Sequence, residues 1–200
     1  STEPHTLFVD KGNVAPASMP NGIGTLADPF NNIPAALAAA AAGDLIRVVG
    51  NGGLDDLLDT AGDNLAYEIG TGGPLDQMLS DGMQLNVPRD VTLMIDAGAL
   101  FKLRGARIGV GSSPSSIDRS YGALQVLGIP DQSVIFTSYQ DQSLGVDTNP
   151  LQTTPQRGDW GGLEFRHDVD TANGRLSAER QGIFLDYVNH AQLQYGGGQV

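Results

Sequence analysis

Short alternating runs of apolar and polar residues fill most of the chain after residue 44, and this pattern predicts β-strands. Each run is short enough for a strand and too short for a typical helix. Glycine-rich loops separate the runs, whereas residues 50–82 have no clear period and predict a long irregular insertion. The predicted strands cover residues 6–10, 45–49, 91–95, 99–103, 107–110, 123–127, 134–138, 162–166, 183–188 and 191–195.

One helix is predicted, over the alanine-rich residues 33–42. Asn32 is placed to cap its first turn, and Pro34 suits the start of a helix because its fixed backbone angle is already helical. Gly43 is a typical helix stop. Ile33 and Leu37 lie on one face and supply the main apolar anchor to a core.

The short strands and their tight corners predict an all-β fold, a parallel β-helix solenoid whose N-terminal end is capped by the helix. Residues 1–200 would form a single domain. Residues 1–43 would supply the N-terminal strand, loop and capping helix, and residues 44–200 the coils with their insertion at 50–82. The predicted inward-facing side chains are Val91, Leu93, Ile95, Phe101, Leu103, Ile108, Val110, Leu124, Val126, Val134, Phe136, Leu163 and Phe165.

The last predicted strand has no C-terminal cap after it. Solenoids need capping at both ends, so we expect this chain to be an N-terminal portion of a longer protein. The expected partners at this C-terminal edge are adjoining coils, further domains or like subunits. Head-to-tail stacking of like subunits on that edge would build a filament.

The amino-acid composition argues against several classes of function. The chain carries 23 acidic and 11 basic residues and a formal net charge of -12, which argues against nucleic-acid binding because that needs a basic surface. With no cysteine, disulfides and thiolate metal sites are excluded. The longest apolar run is the alanine helix, which is too short to span a bilayer, so no membrane insertion is expected.

Residues 24–37 and 42–48 resemble the entry segment of right-handed parallel β-helix proteins of the pectate-lyase-like superfamily. Residues 133–138, 158–165, 185–188 and 194–198 resemble coils of large bacterial surface or secreted proteins with that fold. The resemblance implies a capping helix followed by coil strands, and an extracellular or cell-surface location. The superfamily includes polysaccharide lyases, hydrolases, adhesins and phage tailspikes, so the fold alone does not decide activity.

The enzymes of this superfamily carry characteristic catalytic residues, which can be sought in this sequence. The Asn-Thr-Asp, Gly-His-Gly and Arg-Ile-Lys strings of polygalacturonase-type hydrolases are absent. Lyase residues form a pattern only in space, and the candidates here are Glu164, Arg166, His167 and Asp186. If they line one face they could bind sugar and exchange protons. The alternative is a solvent-facing ladder of salt bridges.

Two further features suggest ligands. Asp168, Asp170 and Asn173 place hard oxygen atoms in the spacing that calcium prefers, although the loop departs from the EF-hand pattern. Calcium is therefore the one candidate cofactor, with a polar turn as the alternative. Trp160 is the only tryptophan, and between Asp159 and Gly161 it could stack on a sugar ring or pack across a loop.

Together these observations favour a non-catalytic structural or adhesive module of an extracellular or cell-surface bacterial protein, self-assembling through its open end. One alternative is a polysaccharide lyase or hydrolase acting on acidic glycans. Another is a calcium-dependent glycan-binding module that uses Trp160 and the loop at 168–173.

Overall fold

The structure is a computed structural model, and it describes residues 4–50, 65–73, 75–112, 117–144, 154–167 and 174–198. Within these ranges the chain forms two α-helices, α1 (Ile33–Ala39) and α2 (Arg175–Arg180). The strands β1 to β13 are, in chain order, Thr6–Val9, Leu45–Val48, Tyr67–Gly72, Gln77–Met78, Leu85–Asn86, Thr92–Asp96, Leu100–Arg104, Arg107–Gly111, Ala123–Leu127, Val134–Ser138, Gly162–Arg166, Tyr187–Asn189 and Ala191–Leu193.

The strands form three sheets that are largely parallel. The first sheet has the order β1-β2-β6-β9-β12, the second β13-β10-β7-β3-β4, and the third β11-β8-β5. From β5 onward the chain enters the third, first and second sheets in rotation, so consecutive strands lie in different sheets. Every strand pairing is parallel except β3 with β4, which is antiparallel.

This topology corrects the predicted fold class. The described residues do not form an all-β right-handed parallel β-helix solenoid with an N-terminal capping helix. They form three separate sheets in a mixed α/β arrangement with two helices, and no sheet in the described ranges curls into a closed solenoid. The error has a physical cause. The alternation of apolar and polar residues shows which face of a strand is buried, but not how the sheets are arranged around one another. It also does not reveal a short helix whose sequence lacks an apolar period.

The prediction of inward-facing side chains was largely correct, because it depends only on alternation within each strand. Eleven of the thirteen are buried, from Val91 in the loop before β6 to Phe136 in β10. The two exceptions both lie in β11. Leu163 is partly buried and packs against the core, whereas Phe165 is exposed.

An aromatic stack runs across the second sheet. The strand registers place Tyr67 opposite Phe101, Phe101 opposite Phe136, and Phe136 opposite Leu193. The ring centroids of Tyr67 and Phe101 lie 5.1 Å apart, and those of Phe101 and Phe136 lie 5.0 Å apart. Trp160 continues the stack, with its ring centroid 6.2 Å from that of Phe136. These offset rings fill the centre of the core.

Helix α1 begins as the sequence predicts and ends earlier. Asn32 accepts the backbone N–H of Ala35 through its side-chain oxygen at 2.9 Å. The helix ends at Ala39, three residues before the predicted end. The Asp44 carboxylate accepts the backbone N–H of Ala41 at 2.9 Å and holds the following residues in a turn instead. The alanines after residue 39 have too little apolar area to oppose this.

Four described elements, β3, β4, β5 and α2, lie where the pattern predicts none. Strands β3 and β4 fall within the predicted insertion at 50–82, and the buried Tyr67 of β3 belongs to the main core. Helix α2 falls between the predicted strands at 162–166 and 183–188, where the pattern predicts a loop. Its sequence has no apolar stripe, and the contacts of its first residue, Arg175, hold it against the sheets.

The two outer sides of the sheets are covered differently. Beside β1, the backbone N–H of Phe8 donates to the carbonyl of Gly24 at 2.9 Å, and that of Phe30 donates to the carbonyl of Phe8 at 2.8 Å. Strand β4 covers the outer edge of β3. On the opposite side, β11, β12 and β13 are each the last strand of a sheet, and no described strand pairs with their outer edges.

Candidate functional site

Glu164 and Arg166 lie on the same face of β11 because alternate residues of a strand point the same way. The Glu164 carboxylate is held between two arginines. Arg107 of β8 reaches it with an N–O distance of 3.1 Å, and Arg166 donates from Nε at 2.7 Å. All three side chains are partly exposed. This is the salt-bridged surface ladder that the sequence analysis weighed against a catalytic role.

His167 and Asp186 form a second pair. His167 follows β11, and its Nε2 lies 2.8 Å from Oδ2 of Asp186, which precedes β12. Oδ1 of Asp186 accepts the backbone N–H of Leu124 in β9 at 2.6 Å. Oδ2 also forms an ion pair with the buried guanidinium of Arg175 in α2. One carboxylate therefore joins a strand, a helix and the residue that follows β11.

The four predicted catalytic residues thus form two pairs rather than one converging set. The Asp186 carboxylate is engaged by the Leu124 backbone N–H, the Arg175 guanidinium and the His167 imidazole. Glu164 is likewise engaged by two guanidinium groups. Among the described residues, these contacts suit holding neighbouring elements together better than transferring protons.

A cleft of about 340 Å³ lies beside the His167–Asp186 pair. Its walls are mostly apolar, and they include Phe165 from β11, Phe184, and Tyr187 from β12. Arg175 lies at its polar side, with only 2% of its side chain exposed. Sequence reasoning missed Arg175, since the only local signal is Glu179 one helical turn later, whose carboxylate lies 3.5 Å from the Arg175 Nε.

Trp160 is buried in the structure. Its ring stacks on Phe136, and its Nε1–H donates to the backbone carbonyl of Gln194 at 2.7 Å. A Cβ added at Gly196 would approach the indole to 3.3 Å, so a glycine lets this backbone segment pass close to the ring. In this position the indole packs a loop against the core and presents almost no surface to a sugar.

The predicted calcium ligands Asp168, Asp170 and Asn173 lie outside the described residues. Within the described ranges, no group of three or more His, Asp or Glu side chains is close enough to hold a metal ion.

A further group of buried polar residues lies in the second sheet. Lys102 of β7 is wholly buried, and the register places it between Glu68 and Thr137. Thr137 donates to the Asp141 carboxylate at 2.7 Å. Burial raises the pKa of Glu68. Burial also acts on Asp141, but hydrogen bonds from Ser143 and Thr137 outweigh it and lower the pKa of that carboxyl. This buried polar group therefore spans the three neighbouring strands β3, β7 and β10.

The strands at the uncovered side of the sheets carry exposed apolar side chains. Tyr187 and Val188 of β12 and Leu193 of β13 are each between 43% and 50% exposed. Residues 187–200 contain no Asp, Glu, Lys or Arg, although the whole chain has a net charge of -12. Edge strands that avoid association usually carry charged residues or proline, and these carry neither.

The chain matches no family model, no curated protein and no solved structure. No helix in the described ranges is both long and apolar enough to cross a membrane. The chain's own geometry is therefore the basis for assigning its function.

Proposed function

We propose that the chain is a non-catalytic structural or adhesive module of an extracellular or cell-surface protein, and that it self-associates through the outer edges of β12 and β13. The observation that carries the proposal is the uncovered, uncharged and apolar edge formed by these strands. The acidic remainder of the surface supports it, because net charge keeps the free module soluble.

The partner we propose is a second copy of the chain in a two-fold contact. Two strongly acidic molecules repel each other over most of their surfaces, so a charge-free strip is the place where they can approach most closely. The edges of β1 and β3 are already covered by residues 24–30 and by β4. A head-to-tail contact would need an edge on the opposite side, where β1 and β3 are covered, so we favour a closed dimer of like edges over a filament.

Sedimentation velocity across a concentration series tests this proposal. The wild-type chain should convert from monomer to dimer as concentration rises. Val188→Lys and Leu193→Lys should each weaken the dimer, because they place like charges opposite each other across the contact. Leu26→Lys is the matched control, since Leu26 is exposed and lies far along the chain from β12 and β13.

A chain that remains monomeric at every concentration would overturn self-association. Continued growth beyond the dimer would overturn the closed contact and favour a filament. A dimer that all three lysine variants leave unchanged would place the contact elsewhere on the surface.

A second candidate is a polysaccharide lyase or hydrolase acting on acidic glycans. It is supported by the His167–Asp186 pair beside the aromatic-walled cleft. Its test is product formation from a panel of uronate polysaccharides, with His167→Ala compared with His5→Ala. Activity that is lost only in the His167 variant would support it, and no product with any polysaccharide would remove it.

A further inference from the structure

On the outer face of the third sheet, two neighbouring positions of β8 are glycines and carry no side chain. On β8 the residues facing the same way as Arg107 are Gly109 and Gly111, and the register sets them opposite Glu164 and Arg166 of β11. On the other side of β8, Gly109 faces Asn86 of β5. A Cβ added at Gly109 would lie 2.7 Å from the Asn86 side-chain oxygen. The bare backbone therefore forms the floor of a narrow cleft.

The walls of this cleft are basic. It is lined by Asn86, Arg107, Ser112, Arg119, Glu164 and Arg166, among others. Three arginines and one glutamate give a local formal charge of +2, in a chain whose net charge is -12. A concentration of positive charge against the sign of the whole molecule creates a local attraction for anions.

Among the described residues, not every arginine nitrogen of the cleft has a hydrogen-bond partner. Glu164 occupies Arg166 and one terminal nitrogen of Arg107. The Arg107 Nε is shielded from solvent and has no hydrogen-bond partner among the described residues. The Arg119 guanidinium is not part of any ion pair within the described ranges, whereas its backbone N–H donates to the Ser112 hydroxyl and its carbonyl accepts from the Gly122 N–H. The guanidinium of Arg119 therefore leaves charged donors for an anion in the cleft.

The small volume of the cleft limits the size of the ligand that it can hold. Its volume is about 60 Å³, well below the roughly 300–1,000 Å³ of pockets that hold drug-sized ligands. The space thus accommodates a single small group rather than a sugar ring or a nucleotide. Guanidinium groups bind carboxylate, sulfate and phosphate oxygens through paired hydrogen bonds.

From these observations we infer that the cleft between β8 and β11 binds one oxyanion group, a carboxylate, sulfate or phosphate, through the guanidinium groups of Arg107 and Arg119. The Glu164 carboxylate holds Arg107 and Arg166 in place and at the same time repels the incoming anion. No residue of β12 or β13 lines the cleft, so this inference does not depend on self-association.

The test is NMR of the arginine Nε–H groups during titration with sodium sulfate, sodium phosphate or sodium acetate at constant ionic strength. Saturable shifts at Arg107 and Arg119 are expected, and the three salts distinguish the three oxyanions. Arg119→Gln should weaken binding roughly tenfold or more, the loss expected for one charge-assisted hydrogen bond. Glu164→Gln should strengthen binding, because it removes the like charge.

Arg47→Gln is the matched control, since Arg47 is a half-exposed arginine of the first sheet that pairs with Asp96. It should leave binding unchanged. Shifts that stay linear with all three salts, or that respond equally to the Arg119 and Arg47 variants, would overturn the inference. Because Arg119 is only partly buried, its variant should fold, and its thermal unfolding curve verifies this.

Discussion

The buried Asp81 carboxylate accepts the backbone N–H of Ile33, the first residue of α1, at 3.0 Å. The two residues are 48 positions apart in the sequence. The other oxygen of Asp81 accepts the backbone N–H of Glu68 at 2.8 Å and pairs with the ammonium of Lys11. One side chain therefore ties the start of α1 and strand β3 to the loop after β1, and it places a negative charge at the helix N-terminus, where the helix dipole favours it.

Asp81→Ala should lower the free energy of unfolding by about 3–5 kcal/mol, the range for removing one partner of a buried ion pair. Urea denaturation measures the change. Asp76→Ala is the control, because Asp76 forms an exposed ion pair with Arg104. A surface pair of this kind contributes less than about 1 kcal/mol. Equal losses for the two variants would show that the Asp81 contacts do not stabilise the fold.

Stability should fall at acid pH in part through Asp44. Hydrogen bonds from the backbone N–H groups of Ala41 and His5 lower the pKa of this carboxyl below its usual value of 3.8. Because the ionised form is favoured in the folded state, the stabilisation is complete above that usual value. It is lost as pH falls through the lower pKa of the folded state.

Asp44→Asn should therefore cost about 1–3 kcal/mol at neutral pH, the contribution of hydrogen bonds to a charged acceptor. It should also flatten the acid limb of a stability–pH profile measured by urea denaturation. Asp28→Asn is the comparison variant. A profile for Asp44→Asn that runs parallel to the wild type down to the lowest pH would contradict this role for Asp44.

The aromatic stack should be the part of the core most sensitive to truncation. Phe136 is fully buried between Phe101 and Trp160, so Phe136→Ala should cost about 3–5 kcal/mol. Phe136→Leu, which leaves a smaller cavity, should cost less. Phe184→Ala is the exposed control and should change stability by less than about 0.5 kcal/mol.

The single tryptophan provides a second readout of the stack. Truncation of Phe136 should shift Trp160 emission to longer wavelength, because the indole would lose its packing partner and gain water contact. An unchanged spectrum together with a large loss of stability would indicate that the cavity collapses around the indole.

Asp186→Ala should loosen the junction between α2 and β9. It would leave the buried Arg175 without its main counter-charge and the Leu124 amide without its acceptor. We expect a loss of about 3 kcal/mol, at the low end of the range for a buried pair because Asp186 is partly exposed. Hydrogen exchange of the Leu124 amide is the direct measurement, and it should accelerate markedly.

Glu179→Ala serves as the control for that variant. Glu179 also lies near Arg175, but it is more exposed and only one helical turn away, so its loss should cost about 0.3–0.5 kcal/mol. If both variants had equal effects on Leu124 exchange, the junction would depend on α2 rather than on the Asp186 carboxylate.

Features that depend on local preference were predictable from the sequence. The start of α1 follows from Asn32 and Pro34, and the buried positions in most strands follow from alternation. Both arise from interactions within a few residues, so they appear in the pattern. Strand β3 was not predictable, because its Gly70 and Gly72 interrupt the alternation, and only packing of Tyr67 on Phe101 makes it a core strand.

The sequence by itself thus determined the strand faces, the helix start, the absence of cysteine chemistry and the acidic charge. Only the tertiary structure decided the three-sheet arrangement, the separation of Glu164 and Arg166 from His167 and Asp186, and the clustering of Arg107 with Arg119 and Arg166. These features depend on contacts between residues far apart in the chain. The free energy of such contacts comes from packing and charge pairing in space, which no local window of sequence contains.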